Sequence, residues 1–324
     1  MTTAANHVIV LLPVFNDWLS LSLLIPQLDE TLAAHRFTAE LVVVDDASTT
    51  EVDPGIVKAR LSAITSVGVV RLRRNLGHQR AIAIGLAFIH AHAAEAPVVV
   101  MDADGEDEPS DVPRLIKKCC DEGGVPIVFA ERRKRSEGLI FRACYIIYRV
   151  AHRILTGHRV RVGNFSVLPW NALSSLVAVS ELWNHYAAAV VKARLPWASV
   201  PTTRGHRLAG ASSMHFTALV VHGLSALSVF GETVGVRVLI AALVLAALLV
   251  VGLATVLVVR VGTALAIPGW ATYTGGLLLL ALMQVSLVGF IITFAILSNR
   301  SAFTFMPLRD YQLFVKSFHV VVRA

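Results

Sequence analysis

The sequence predicts a mostly parallel α/β domain, followed by amphipathic helices lying in a membrane interface and by two transmembrane helices. Three observations carry this. Between Val8 and about Ala130, short β-branched runs alternate with helical patterns, the signature of parallel strands joined by crossover helices. Between Glu131 and about Phe230, apolar stretches are bordered by arginines. Beyond that, two charge-poor runs each exceed the ~20 residues that cross ~30 Å of hydrocarbon. At 324 residues, 55% of them hydrophobic, and with a mean hydropathy of +0.66, the chain is too apolar for an ordinary soluble enzyme.

The strands follow in order as "VIVLLPV", "LVVVDD", "VGVVRL", "PVVVMDAD" and "PIVFAE". Polar residues collect at their carboxyl ends, where parallel sheets bind ligands. Next, in "ERRKRSEGLIFRACYIIYRVAHRILTG", Leu139, Ile140, Ile146, Ile147, Val150 and Ile154 share one helical face, bordered by Arg142, Arg149 and Arg153. That pattern suits an interfacial helix, and equally a core helix with snorkelling arginines. A second such stretch, "FTALVVHGLSALSVF", precedes the uncharged run Val238 to Val259; after Arg260, Pro268, Gly269 and Trp270, another run reaches about Leu297. The expected divisions are a core at 1–135, an acceptor region at 136–230, two membrane helices at 231–299 and a tail at 300–324.

Arg300, Arg309, Lys316 and Arg323 lie beyond the helices while the connection between them carries only Arg260, so the positive-inside rule puts the tail and the N-terminal domain in the cytoplasm. The opening "MTTAANHVIVLLPVFND" has no basic leader and does not read as a signal peptide. The net charge of +7 fits an anionic leaflet better than nucleic acid, because the arginines accompany apolar faces rather than aromatic platforms. Cys119, Cys120 and Cys144 show no metal or disulfide spacing.

The chemistry centres on "VVVMDADGEDEP", where Asp102, Asp104, Glu106, Asp107 and Glu108 crowd the end of a buried strand. Two bare carboxylates 4 Å apart repel by roughly 1 to 4 kcal/mol, so a cation is expected there. Asp102 and Asp104 are the candidate ligands of a hard divalent ion, Mg2+ or Mn2+, with Glu106 a third. In "VVVDDAST", Asp45 and Asp46 suit either a nucleobase N–H or structural capping, and Ser48 suits the cap of the next turn. In "RLRRNLGHQRAIAIGL", Gly77 permits a tight turn and the helix opening near His78 faces an anion, although His78 and Arg80 fit a solvated surface equally well.

Together with "LPVFND", these segments resemble, across nearly the whole chain, the family 2 glycosyltransferases that charge a polyprenyl phosphate with a sugar. Their motifs run L-P-x-[YF]-N-E, V-V-D-D-G-S, R-N-x-G-K-x-x-A-x-x-x-G and M-D-A-D-L-Q-D-P-P. The resemblance implies a glycosyltransferase A-type, Rossmann-like fold and a nucleotide-sugar donor (UDP-, GDP- or similar) with its divalent metal. The acceptor is a polyprenyl phosphate, and transfer inverts the anomeric centre. By position, Asp45 or Asp46 meets the base; Pro13, Phe15, Asp17, Ser48, Asn75, Gly77 and His78 line the donor site; Asp102, Asp104 and Glu106 serve ribose and metal-diphosphate. Arg132, Arg135 and Arg207 meet the acceptor phosphate, and Asp104, Arg132 and Arg135 carry the chemistry. Glu106 replaces the family's Gln, Asn164 stands where relatives commonly carry Asp, and Ser212, Ser213 and Met214 replace Ser-Lys-Tyr. A phosphate acceptor is already ionised and needs no strong base.

The resemblance further implies a multi-pass inner-membrane protein of cell-envelope biosynthesis, with both termini cytoplasmic. Gly252, Gly275 and Gly276 would permit a homo-oligomer through the membrane helices. The rival expectations are transfer to another membrane lipid and a non-catalytic nucleotide-binding scaffold. A processive synthase is disfavoured because no Gln-x-x-Arg-Trp occurs.

Overall fold

The computed structural model describes residues 6–50, 61–132, 149–158, 162–210, 216–263, 269–301 and 305–323. Eight strands form one sheet: β1 His7–Val14, β2 Thr38–Asp45, β3 Ile64–Leu72, β4 Val98–Val100, β5 Ile127–Arg132, β6 Ser166–Leu168, β7 Trp197–Thr202 and β8 Val315–Arg323. Their order is β7-β5-β6-β4-β1-β2-β3-β8. The pairs β1–β2, β1–β4, β2–β3 and β5–β7 are parallel, while β4–β6, β5–β6 and β3–β8 are antiparallel. Val14 of β1 sits opposite Asp45 of β2, which in turn sits opposite Arg71 of β3, so the polar strand ends fall level along one edge.

Besides the helical residues 149–156 and the single turn Pro307–Asp310, the helices among the described residues are α1 Trp18–Ala34, α2 His78–His92, α3 Val112–Asp121, α4 Trp170–Leu176, α5 Tyr186–Lys192, α6 Phe216–Ser228, α7 Gly231–Gly262 and α8 Trp270–Ser301. Strand alternation divides the core into two layers. Val42, Val44 and Val70 pack with Ala81, Ile82, Ile84 and Leu86 of α2, whereas Val10, Leu12, Leu41 and Val43 pack with Leu21, Leu24, Ile25 and Leu28 of α1 and Leu115 of α3. Burial of each such side chain stabilises the fold by ~1.5–3 kcal/mol. Gly85 lets α2 lie against the sheet, since a Cβ there would come within 2.4 Å of a Leu11 methyl. Asp29 ties α1 to the start of β3 by accepting N–H bonds from Ser62, Ala63 and Ile64 at 2.8–3.1 Å.

The described residues divide into two units. The first holds the sheet and includes residues 162–229 and 305–323; the second holds 149–158 and the two long helices. Strands from both sides of the expected boundary at 135, and one from the expected tail, therefore pair in a single sheet. β6 is only three residues of "SVL", too short to show periodicity, and it nonetheless sits between β4 and β5. The presumed tail supplies β8, whose Lys316 and Arg323 bracket a run that pairs with β3 over Ser66 to Leu72.

In the second unit, α7 and α8 are each 32 residues, ~48 Å at 1.5 Å per residue, and both are apolar enough to cross a membrane. They pack antiparallel, with Gly235 against Ile296 and Gly252 against Leu278, while Gly275 and Gly276 face open space. Leu243, Leu248, Leu280 and Phe290 point outward. Residues 149–156 are helical, with Val150 and Ile154 exposed and His152 buried. The rest of the amphipathic stretch, from 133 to 148, lies outside the described residues.

Candidate active site

The site gathers where β1, β2, β4, β5 and β7 end. After β1, Pro13 is buried, Phe15 stands exposed on the rim, and Asn16 adopts φ +58°. The Asn16 side chain accepts from the Thr49 N–H at 2.9 Å, and its own N–H donates to Ser48 Oγ at 2.9 Å. Ser48 thus links the ends of two strands. Both members of the acidic pair at the end of β2, Asp45 and Asp46, are committed to protein groups. Asp45 accepts from the Ser48 N–H at 2.7 Å and faces Arg71 Nε at 3.4 Å. Asp46 accepts from Leu76 N–H at 2.7 Å and Gly77 N–H at 2.8 Å, which shapes the turn that opens α2. Burial raises the Asp46 carboxyl above its usual range, against the pull of those two amides. Each carboxylate oxygen keeps a second lone pair for a further donor.

The acid loop follows β4. Asp107 is 3% exposed and acts as its strut: one oxygen accepts the Asp102 N–H at 2.9 Å, the other pairs with Arg132 Nη2 at 2.8 Å. Burial and the Asp102 charge push its carboxyl up to about 7, opposed by Arg132. Asp104 accepts from the Glu106 N–H at 3.0 Å and pairs with Arg207 Nη1 at 3.0 Å. Burial, then Asp102 and Glu106, raise the Asp104 carboxyl, while the Glu106 amide and Arg207 pull it down. Glu106 turns toward Arg204, with Arg132 at 3.7 Å. The second nitrogen of the Arg207 fork binds Asp17, so one guanidinium joins the ends of β1 and β4.

The segment carrying Arg204 and Arg207 lies along the acid loop, with Gly205 N–H donating to Glu106 O and Leu208 N–H to Asp104 O, both at 2.9 Å. Gly105, at φ +88°, makes this approach possible, because a Cβ would come within 2.4 Å of Leu208. His78 Nε2 lies 3.1 Å from Asp102 Oδ1, with 42% of its side chain open to solvent. Desolvation works against charge on the ring; Asp102, with Asp107 and Asp104 behind it, outweighs this and raises its basicity. Asn75 is exposed at the turn. Arg135 and Ser212, Ser213 and Met214 lie outside the described residues.

Among the described residues no three His, Cys, Asp or Glu side chains converge as a ready-made metal centre. The expected trio of Asp102, Asp104 and Glu106 shares the loop, but Glu106 is turned onto arginines. What remains is a pair of hard carboxylates whose mutual repulsion contributes to the rise at Asp104. That donor set fits a hard divalent ion completed by diphosphate oxygens.

Residues 9–165 match the model of glycosyl transferase family 2. Over these residues, which are just under half of the chain, it is similar to that family. The chain is 29% identical over 152 residues to undecaprenyl-phosphate 4-deoxy-4-formamido-L-arabinose transferase of Salmonella choleraesuis, covering 47% of this chain and 45% of the relative. It is 30% identical over 137 residues to the transferase of the same name from Photorhabdus laumondii, covering 41% and 39%. It therefore spans less than half the length of these curated relatives. Among solved structures, glucosyl-3-phosphoglycerate synthase from Mycobacterium tuberculosis, in complex with Mn2+, UDP and phosphoglyceric acid, superposes with a TM-score of 0.51. It is 17% identical, over 71% of this chain and 79% of that one, a likeness of fold.

The matched residues supply the acid loop, while Arg204 and Arg207 reach it from sequence beyond them. The sequence reading assigned no role to Asp107, Gln79 or Arg204. Asp107 had a usable signal, since it falls on the acidic residue before the prolines of the family's M-D-A-D-L-Q-D-P-P; Arg204 had none.

Proposed function

We propose that the protein transfers a sugar from a nucleotide sugar to a membrane polyprenyl phosphate. The observation that carries this is the interleaving of carboxylates and guanidinium groups at the strand ends, with Arg207 on both Asp17 and Asp104 and Arg132 on Asp107. Such an edge suits two phosphorylated partners at once, one brought as a metal complex and one as a bare phosphate. The names of the curated relatives support the acceptor assignment.

Asp102 and Asp104 would hold a divalent ion, Mg2+ or Mn2+, which neutralises the departing nucleoside diphosphate. Pro13, Phe15, Asp17 and the Asp45–Asp46 pair line the nucleotide side. Arg132 and Arg207, with Arg135, bind the acceptor phosphate by forked hydrogen bonds and hold one oxygen in line with the anomeric carbon. That oxygen forms the new bond as the carbon–oxygen bond to the diphosphate breaks, with inversion. The acceptor is anionic at neutral pH, so Asn164 in place of Asp removes nothing the step requires.

The second unit supports a membrane location. β7 precedes and β8 follows the two long helices, and both belong to one sheet. On this reading the helices cross together as a hairpin, and Arg300 and Arg309 beyond them, against Arg260 alone between them, favour a cytoplasmic domain. The test is label transfer from a panel of nucleotide sugars to undecaprenyl phosphate in membranes containing the protein. Organic-extractable label that depends on manganese or magnesium and vanishes with chelator is the expected result. Nucleotide binding with no lipid labelled by any donor would leave the scaffold reading instead.

A further inference from the structure

A cavity of about 160 Å³ opens on one face of the sheet, where β2, β3 and β8 run side by side. Asp45, Val69, Arg71, Ser317, His319 and Val321 line it. Strand register brings them together. Asp45 of β2 sits opposite Arg71 of β3, and β8 places Ser317 opposite Arg71 and His319 opposite Val69. Alternate residues of a strand share a face, so Ser317, His319 and Val321 turn into the cavity while Phe318 turns the other way, onto Phe88 of α2.

The lining divides by chemistry. Val69 and Val321 are apolar, a surface suited to the face of a flat ring. Asp45, 1% exposed, is an acceptor only: one oxygen takes the Ser48 N–H and the other lies 3.4 Å from Arg71 Nε. Around it stand donors. Among the described residues no protein group pairs with the terminal nitrogens of Arg71, the Ser317 hydroxyl or the His319 ring. A carboxylate flanked by donors is complementary to a ring N–H flanked by carbonyl oxygen. Uracil offers an N–H between two carbonyls and guanine an N–H beside one. Cytosine and adenine place a ring-nitrogen lone pair there instead, and two acceptors repel.

The order of strands agrees with a donor laid across their ends. Asp102 and Asp104 follow β4, Asp17 follows β1, Asp45 ends β2 and Arg71 lies on β3, in the sheet order β4-β1-β2-β3-β8. At ~4.8 Å between strands, β4 to β3 is about 14 Å, the reach of an extended nucleoside diphosphate. With its diphosphate at the acid loop, its base therefore arrives against β8.

We propose that Ser317 and His319 of β8 are specificity-determining residues that close the pocket for the donor's base, and that this base carries a ring N–H beside a carbonyl, as uracil and guanine do. This rests on the reading of the site as a nucleotide-sugar transferase. Asp45 accepts the ring N–H, while Arg71, Ser317 and His319 donate to carbonyl oxygen. The strand that follows the two long helices in sequence thus belongs to the donor site.

The test is calorimetry on the full-length protein with manganese, titrating UDP, GDP, CDP, ADP and inorganic pyrophosphate. UDP or GDP binds at least ~10-fold more tightly than CDP and ADP, because the wrong base leaves Asp45 unpaired. Ser317→Ala and His319→Ala each weaken the preferred nucleotide by roughly 3–10-fold, the loss of one hydrogen bond, and leave pyrophosphate within about 2-fold. His319→Gln, which keeps an N–H donor, recovers most of the loss. Val320→Ala, on the opposite face of the same strand, changes neither ligand. The inference is overturned if Ser317→Ala and His319→Ala leave all four nucleotides unchanged, if pyrophosphate weakens by the same factor as the nucleotide, or if CDP or ADP binds as tightly as UDP and GDP. In each of those cases the transferase reading stands. Wild type that binds pyrophosphate but none of the four nucleotides contradicts the transferase reading itself, and the base pocket falls with it.

Discussion

At the acid loop, position alone separates carboxylates that are identical in sequence. Asp102 and Asp104 face the site, Asp107 is buried beneath it, and Glu106 is turned onto arginines. Asp104→Ala is expected to lower transfer at least 10²-fold, the loss typical of removing a group that stabilises developing charge, with little change in thermal stability. Asp29 provides a pH test away from the site. Burial works against its charge, but the amides of Ser62, Ile64 and Ala63 prevail and hold its carboxyl below the usual carboxylate range. Its contribution is therefore present above pH ~4, where the unfolded group ionises, and is lost as pH falls through the lower folded value. Asp29→Asn should cost about 1.5–3 kcal/mol at neutral pH, and denaturant titrations should show the gap closing below pH ~4. The strand-end acids were legible because a short motif brings its own context. The Asp46 amide contacts and the Gln79–Asn164 hydrogen bond were not, since both depend on residues 30 or more positions apart.

Strands and helices of the first half were legible from periodicity, because a buried parallel strand is a continuous β-branched run. β6 and β8 escaped that signal for different reasons. β6 is too short, and β8 follows two membrane-length helices, so nothing local says that it rejoins β3. Phe318 of β8 packs 5.0 Å from Phe88 of α2 and covers Gly68 of β3. Truncation after residue 304 should therefore bare the β3 edge and this aromatic contact, giving protein that aggregates on extraction in size-exclusion profiles. Gly85→Ala tests the α2 packing: its Cβ would meet Leu11 and Val44, and overpacking of this kind costs ~1–3 kcal/mol in a denaturant melt.

For the whole molecule, the sheet is built from chain on both sides of the apolar hairpin. A cysteine replacing Ala266, between the two helices, should react with an impermeant maleimide on intact cells. The exposed native Cys120, on the sheet domain, should react only after permeabilisation. Labelling of Cys120 but not of the introduced cysteine in intact cells would reverse the orientation. The central claim is transfer to a lipid phosphate, and the most direct measurement compares undecaprenyl phosphate with undecaprenol as acceptor, using the donor that labels membranes. Label on the phosphate alone, lost in Arg207→Ala, is the predicted result. Equal label on the alcohol, or full activity without Arg207, would contradict an acceptor recognised through its phosphate.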